Sequence, residues 1–206
     1  MKRLVSIATA LLFFACSPYA KVKNLDSRGT SVIAFGDSLT AGYGAGAGED
    51  WPSRVAASTN IPIVNAGHSG DTTEDALARI DDDVLARDPR IVIVGLGGND
   101  FLRGFPIAST ESNLRAIVQK IHARGAMVVL LGFRFPSLDA NYEKMYERVA
   151  EEEGCLLVKR VMKGILTDAK LKSDQIHPNA AGYALMAERI ASPLKKLLAK
   201  AARARD

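Results

Sequence analysis

Four short segments hold side chains that could together carry out acyl transfer: Gly36-Asp37-Ser38-Leu39-Thr40, Ala66-Gly67-His68-Ser69-Gly70-Asp71, Gly97-Gly98-Asn99-Asp100 and Asp174-Gln175-Ile176-His177-Pro178-Asn179. A serine hydroxyl attacks a carbonyl effectively only when a base takes its proton, a carboxylate orients that base, and donors meet the charge that develops on oxygen. Ser38 offers the hydroxyl and His177 the base, with Asp174 holding the other ring nitrogen or supporting the turn from outside. Gly36 permits a sharp strand-to-helix turn that would aim the Ser38 N–H at the oxyanion. Gly70 would add a second backbone N–H, and Asn99 a neutral side-chain amide. Each fragment alone is an ordinary turn. All four in this order supply every part of one mechanism.

The elements that must position them follow from hydrophobic periodicity. Five apolar runs, Ser31 to Phe35, Ile61 to Asn65, Arg90 to Leu96, Ala126 to Leu131 and Cys155 to Val158, recur about every 30 residues. Their continuous apolarity suits strands covered on both faces. Helical spacing fills the intervals. Trp51 to Ser58 follows Asp50 as N-cap, and the segment after Thr72 has Asp75 placed for a capping box. Further helices are expected over Glu111 to Arg124, Leu138 to Glu153 and Ala180 to Ala202. Such alternation predicts an α/β fold, a parallel sheet with helices on both faces, whose ligands bind beyond the carboxyl ends of the strands. All four chemical segments follow predicted strands.

The chain's 206 residues suit one domain, and 48% hydrophobic with 24% charged residues excludes disorder. Residues 1–15 open with Lys2 and Arg3, continue apolar from Leu4 to Ala15 and contain no acid, the layout of an export signal. Phe13-Phe14-Ala15-Cys16 resembles a bacterial lipoprotein signal, which makes Cys16 a candidate for lipidation and the protein periplasmic or lipid-anchored at a membrane. Residues 1–20 are accordingly read as signal and short tether, and 21–206 as the working domain. Cys155 alone would remain beside Cys16, so no disulfide framework is expected, and its apolar run suits a buried small hydrophobe. Losing Lys2 and Arg3 lowers the net charge from +4 to +2. The C-terminal Lys195, Lys196, Lys200, Arg203 and Arg205 suit a helix end or anionic lipid, so no nucleic-acid partner is expected. Gly42, Gly44 and Ala47 lie too far after the first strand for a dinucleotide site, and Asp81 to Asp83, being consecutive on a helix, cannot face one metal ion. No cofactor or metal is expected. The Gly-x-Ser-x-Gly elbow of α/β-hydrolases is absent, since Ser69 fails it at Asp71.

Phe35 to Gly44, Asn65-Ala66 with Ser69 to Thr72, Leu96 to Asp100 with Leu102 to Gly104, Asn141-Tyr142 and Asp174 to Asn179 resemble the SGNH, or GDSL, hydrolases over about residues 31 to 192. Among them the chain is similar to the bacterial thioesterase, lysophospholipase and arylesterase group. The resemblance implies a three-layer α/β/α fold with a flavodoxin-like five-stranded parallel sheet. It implies Ser38 as nucleophile, Asp174 and His177 completing the triad, and an oxyanion hole of the Ser38 amide, Gly70 and Asn99. His68 and Phe101 depart from the usual pattern beside the site. By the same resemblance the loop Phe133 to Leu138 would line an acyl groove, and Leu39, Phe101, Phe133, Phe135, Leu138 and Tyr142 are its candidate residues. The expected substrate is a small acyl ester, thioester or lysophospholipid, hydrolysed by a monomer. A carbohydrate O-acetyl esterase with the same triad is the alternative.

Overall fold

The computed structural model describes residues 17–134 and 140–205. The leader, Cys16, Phe135 and Leu138 lie outside the described residues. Five strands, β1 (Ser31–Gly36), β2 (Ile63–Gly67), β3 (Pro89–Gly95), β4 (Met127–Leu131) and β5 (Leu156–Val158), form one parallel sheet in the order β2-β1-β3-β4-β5. This is the flavodoxin-like order. Helices α2 (Trp51–Thr59) and α7 (Ala180–Arg203) pack together, as do α3 (Thr73–Asp83), α5 (Ile107–Ala123) and α6 (Ala140–Glu153), giving two helical layers around the sheet. The short helices α1 (Ser38–Ala41) and α4 (Gly98–Leu102) sit directly after β1 and β3.

The apolar runs are strands because both their faces are covered. Ile33, Phe35, Ile91, Ile93, Val128 and Leu130 are all fully buried. The helix starts obey the capping chemistry. The Asp50 carboxylate accepts from the Ser53 N–H at 2.8 Å, while Thr72 and Asp75 form both halves of a capping box. β2 and α5 depart most from the expectation. β2 is displaced two residues towards Gly67, because Pro62 cannot donate to a ladder and the register pairs Val32 with Ile63 through Gly36 with Gly67. α5 begins at Ile107 rather than Glu111. Pro106 ends the preceding loop with φ −58°, and Thr110 is buried against Asp100, so the helix starts well before its apolar stripe at Leu114.

The segment before β1 is docked at the opposite end of the sheet from the chemical loops. Val22 is buried, the Lys23 N–H donates to the Gly154 carbonyl, and the Asn24 side-chain amide donates to the carbonyls of His122 and Ala126. Among the described residues no helix is long and apolar enough to cross a membrane. Cys155 is buried, which pushes its thiol up to about 12 and leaves no thiolate at neutral pH.

Candidate active site

The ends of β1, β2 and β3 meet at one edge, and the loop before α7 folds over it. Ser38 opens α1. The Asp37 carboxylate caps that helix by accepting from the Leu39 N–H at 3.0 Å. Gly36 is required by close approach rather than by an unusual φ. A Cβ there would stand 2.2 Å from Thr40 Oγ1 and 2.5 Å from the Gly95 carbonyl oxygen. Gly70 has φ +92°, in the region that side chains disfavour.

Ser38 Oγ lies 2.9 Å from His177 Nε2, and His177 Nδ1 lies 2.7 Å from Asp174 Oδ2. The carboxylate accepts the Nδ1 proton, which leaves the Nε2 lone pair facing the hydroxyl. Asp174 also supports the turn: its Oδ1 accepts from the N–H groups of Ile176 and His177 at 2.9 and 2.8 Å. The two roles left open by the sequence are filled by its two oxygens. Partial burial alone would raise the Asp174 pKa. The Ile176 N–H, the His177 ring and the His177 N–H outweigh it and hold the group below the ordinary carboxylate value. Asn179 then caps α7, and the Tyr43 ring packs at 4.5 Å from that of His177.

Ser38, Leu39, Asn99, Leu102, Ile176 and His177 line a cleft of about 20 Å³, room for little more than one water-sized group such as a carbonyl. Among the described residues the Ser38 and Gly70 N–H groups have no hydrogen-bond partner. One hydrogen of the Asn99 amide is engaged by the Asp71 carbonyl at 2.8 Å, which fixes the amide and leaves the other free. Ser38 and Asn99 share the lining of this one cleft.

Several candidates lie elsewhere. Phe133 and Tyr142 do not line a groove: only 2% and 6% exposed, they belong to the core, with Phe133 edge-on to Tyr146 and Tyr142 edge-on to Phe101. Phe101 is half-buried in that stack, and Leu102, the next residue, takes the place at the cleft expected of it. His68 is exposed and turned towards Asp83, with Nε2 3.8 Å from Oδ2. Tyr43, Leu102 and Phe105, the exposed large hydrophobic residues among the described residues, are not among the groove candidates that the sequence offers. An apolar residue next to a catalytic motif was the available signal. Asp100, which the motif places without a role, has one. It is buried and accepts from the Thr73 N–H at 2.9 Å, tying α4 to the start of α3.

Asp37 is the most perturbed carboxylate here. Burial, with help from nearby Asp71 and Asp100, pushes its pKa up to about 7 against the Leu39 N–H. An unfolded Asp ionises near 4. The contribution of Asp37 to stability is therefore complete below about pH 4 and is lost as pH rises through about 7. Asp37→Asn keeps the capping oxygen and removes the charge. Urea unfolding should show the variant gaining on the parent between pH 4 and 8, by up to about 4 kcal/mol. Parallel pH profiles for the two would contradict this.

A family model described as GDSL-like lipase/acylhydrolase matches residues 34–185. The chain is 35% identical over 179 residues to thioesterase 1/protease 1/lysophospholipase L1 of Escherichia coli strain K12, covering 82% of this chain and 85% of that one. It is 29% identical to an arylesterase of Vibrio mimicus, covering 95% of this chain and all of that one. Among solved structures it resembles the psychrotrophic esterase EstA of Pseudoalteromonas sp., inhibited by monoethylphosphonate. The TM-score is 0.74 at 30% identity, over 82% of this chain and 98% of that one.

Proposed function

This chain belongs to the GDSL-like lipase/acylhydrolase family and is a serine hydrolase acting on esters; on that premise we propose that Ser38, His177 and Asp174 are its triad and that acyl chains longer than acetyl are its substrates. The observation that carries the triad is the continuous contact from Ser38 Oγ through the imidazole to Asp174, in a cleft that the Asn99 amide also lines. Ser38 Oγ attacks the acyl carbonyl as His177 Nε2 takes its proton. The oxyanion is met by the N–H groups of Ser38 and Gly70 and the Asn99 amide. Collapse expels the alcohol or thiol, which receives the proton from His177, and an acyl-serine remains. Water attacks next, again losing its proton to His177, and the free acid leaves. The imidazole must be neutral to act, and the Ile176 N–H and the His177 ring and N–H hold Asp174 below the ordinary carboxylate value, in the form that orients it.

The apolar rim supports the acyl preference. Leu102 lines the cleft, Tyr43 lies against His177, and Phe105 follows α4 on the same edge. A chain running from the carbonyl over this rim gains up to about 0.8 kcal/mol per buried methylene, or about fourfold in kcat/KM. Lysophospholipids, thioesters and aryl esters, named for the relatives, all present such a group to the cleft. In a nitrophenyl ester series from acetyl to palmitoyl, kcat/KM should climb beyond acetyl and Leu102→Ser should flatten the climb. A sharp acetyl optimum would instead favour carbohydrate O-acetyl ester hydrolysis. The acid-free apolar leader and Cys16 support export, with a lipid carried on Cys16.

A further inference from the structure

Arg79 lies outside the cleft yet touches the loops that carry its donors. It sits on α3, its side chain 16% exposed and its guanidinium 4.6 Å over the Phe35 ring. Nη2 donates to the Gly36 carbonyl at 3.0 Å, immediately before the turn that carries Ser38. Nη1 donates to the Ala66 carbonyl at 3.1 Å, near the end of β2, and to Asp83 Oδ2 at 2.7 Å. Nε donates to Asp71 Oδ2 at 2.6 Å. Asp71 follows Gly70, and its own carbonyl accepts from the Asn99 amide. One planar cation thus fixes the end of β1, the end of β2 and, through Asp71, the side chain from α4.

We propose that Arg79 is the positioning residue of the oxyanion hole, setting the spacing of the Ser38, Gly70 and Asn99 donors. The proposal rests on the triad reading above. A packing role over Phe35 would need only an apolar side chain. The acceptors are instead two backbone carbonyls and two carboxylates in different directions, which a guanidinium fork satisfies and an ammonium cannot. The Gly36 carbonyl also accepts from the His68 N–H at 2.9 Å, so the peptide before the nucleophile turn is held from two sides. At Gly70, whose φ leaves the turn little side-chain support, Arg103 holds the carbonyl from the exposed side at 2.7 Å. Arg79 is the inner half of that grip. Donors aimed at an oxyanion act on the transition state rather than the bound ester, so loosening them lowers kcat while leaving KM nearly unchanged.

The test uses Arg79→Met, Arg79→Lys, Arg79→Ala, Asn99→Ala and Ser38→Ala in the full chain, with kcat, KM, pH profile and thermal midpoint read for each. Removing one oxyanion donor costs about 10² to 10³ in kcat. Arg79→Met should lose about tenfold or more in kcat, with KM within about twofold and the pH profile unmoved, since no triad contact is touched. Arg79→Lys should not restore it, and millimolar guanidinium ion should partly rescue Arg79→Ala. The Asn99→Ala loss should also be smaller in the Arg79→Met background, because the amide is already misplaced there. Strictly additive losses, full rescue by lysine or a KM-only effect would overturn the proposal, and so would kcat near the parent value. Should Arg79→Met fail to fold, the lysine variant and the guanidinium rescue decide the matter. If Asn99→Ala and Ser38→Ala both turn over normally, the triad reading itself fails; if they lose activity and the Arg79 variants do not, only this inference fails.

Discussion

Replacing Ser38 by Ala is expected to lower kcat on a nitrophenyl acyl ester by about 10⁴- to 10⁶-fold, leaving only the rate that the oxyanion donors and substrate binding supply without a nucleophile. The fold should not register the change. Ser38 Oγ has one described partner, His177 Nε2, and α1 is capped by Asp37 rather than by Ser38. Thermal unfolding of the variant should therefore superimpose on the parent to within a few degrees. Mass spectrometry after a brief incubation with a slow acyl ester should find acyl adduct on the parent and none on the variant. Turnover within tenfold of the parent would end the assignment of Ser38 as nucleophile, whatever the family.

Asp174→Asn should cost nearly as much, by about 10³ to 10⁴ in kcat. The reason lies in how the two carboxylate oxygens are used. Oδ1 accepts from the N–H groups of Ile176 and His177, so only an oxygen can stay there. An asparagine is thereby forced to turn its NH₂ towards His177 Nδ1. That donor requires Nδ1 as an acceptor and puts the ring proton on Nε2, where the Ser38 hydroxyl needs a lone pair. The turn itself is preserved, so the variant should fold and bind ester with little change in KM. Retention of kcat within tenfold would mean that Asp174 serves only to hold the turn.

The α/β alternation was legible because each strand is a continuous apolar run and each long helix carries its own stripe and cap. The same locality made the motifs readable as strand-end loops. Legibility ended where two segments had to be weighed against each other. Phe133 and Tyr142 are as apolar as any groove residue, and nothing local says that they turn inward against Tyr146 and Phe101. Gly36 could be read as a bend; its need for close contact with Thr40 and Gly95 is a property of two strands and a helix together. Arg79 carries no local signal, because its acceptors belong to β1, β2 and the following loop.

By itself, then, the sequence determined the layers, the order of chemical groups along the chain and the edge at which they gather, since periodicity, capping and turn chemistry act over a few residues. Only the tertiary structure decided that Ser38 and His177, 139 residues apart, stand 2.9 Å from each other. It also decided that each oxygen of Asp174 has its own task and that Leu102 rather than Phe101 meets the cleft. Those outcomes depend on side-chain direction and on distances between separate elements, which close packing sets and local pattern does not contain.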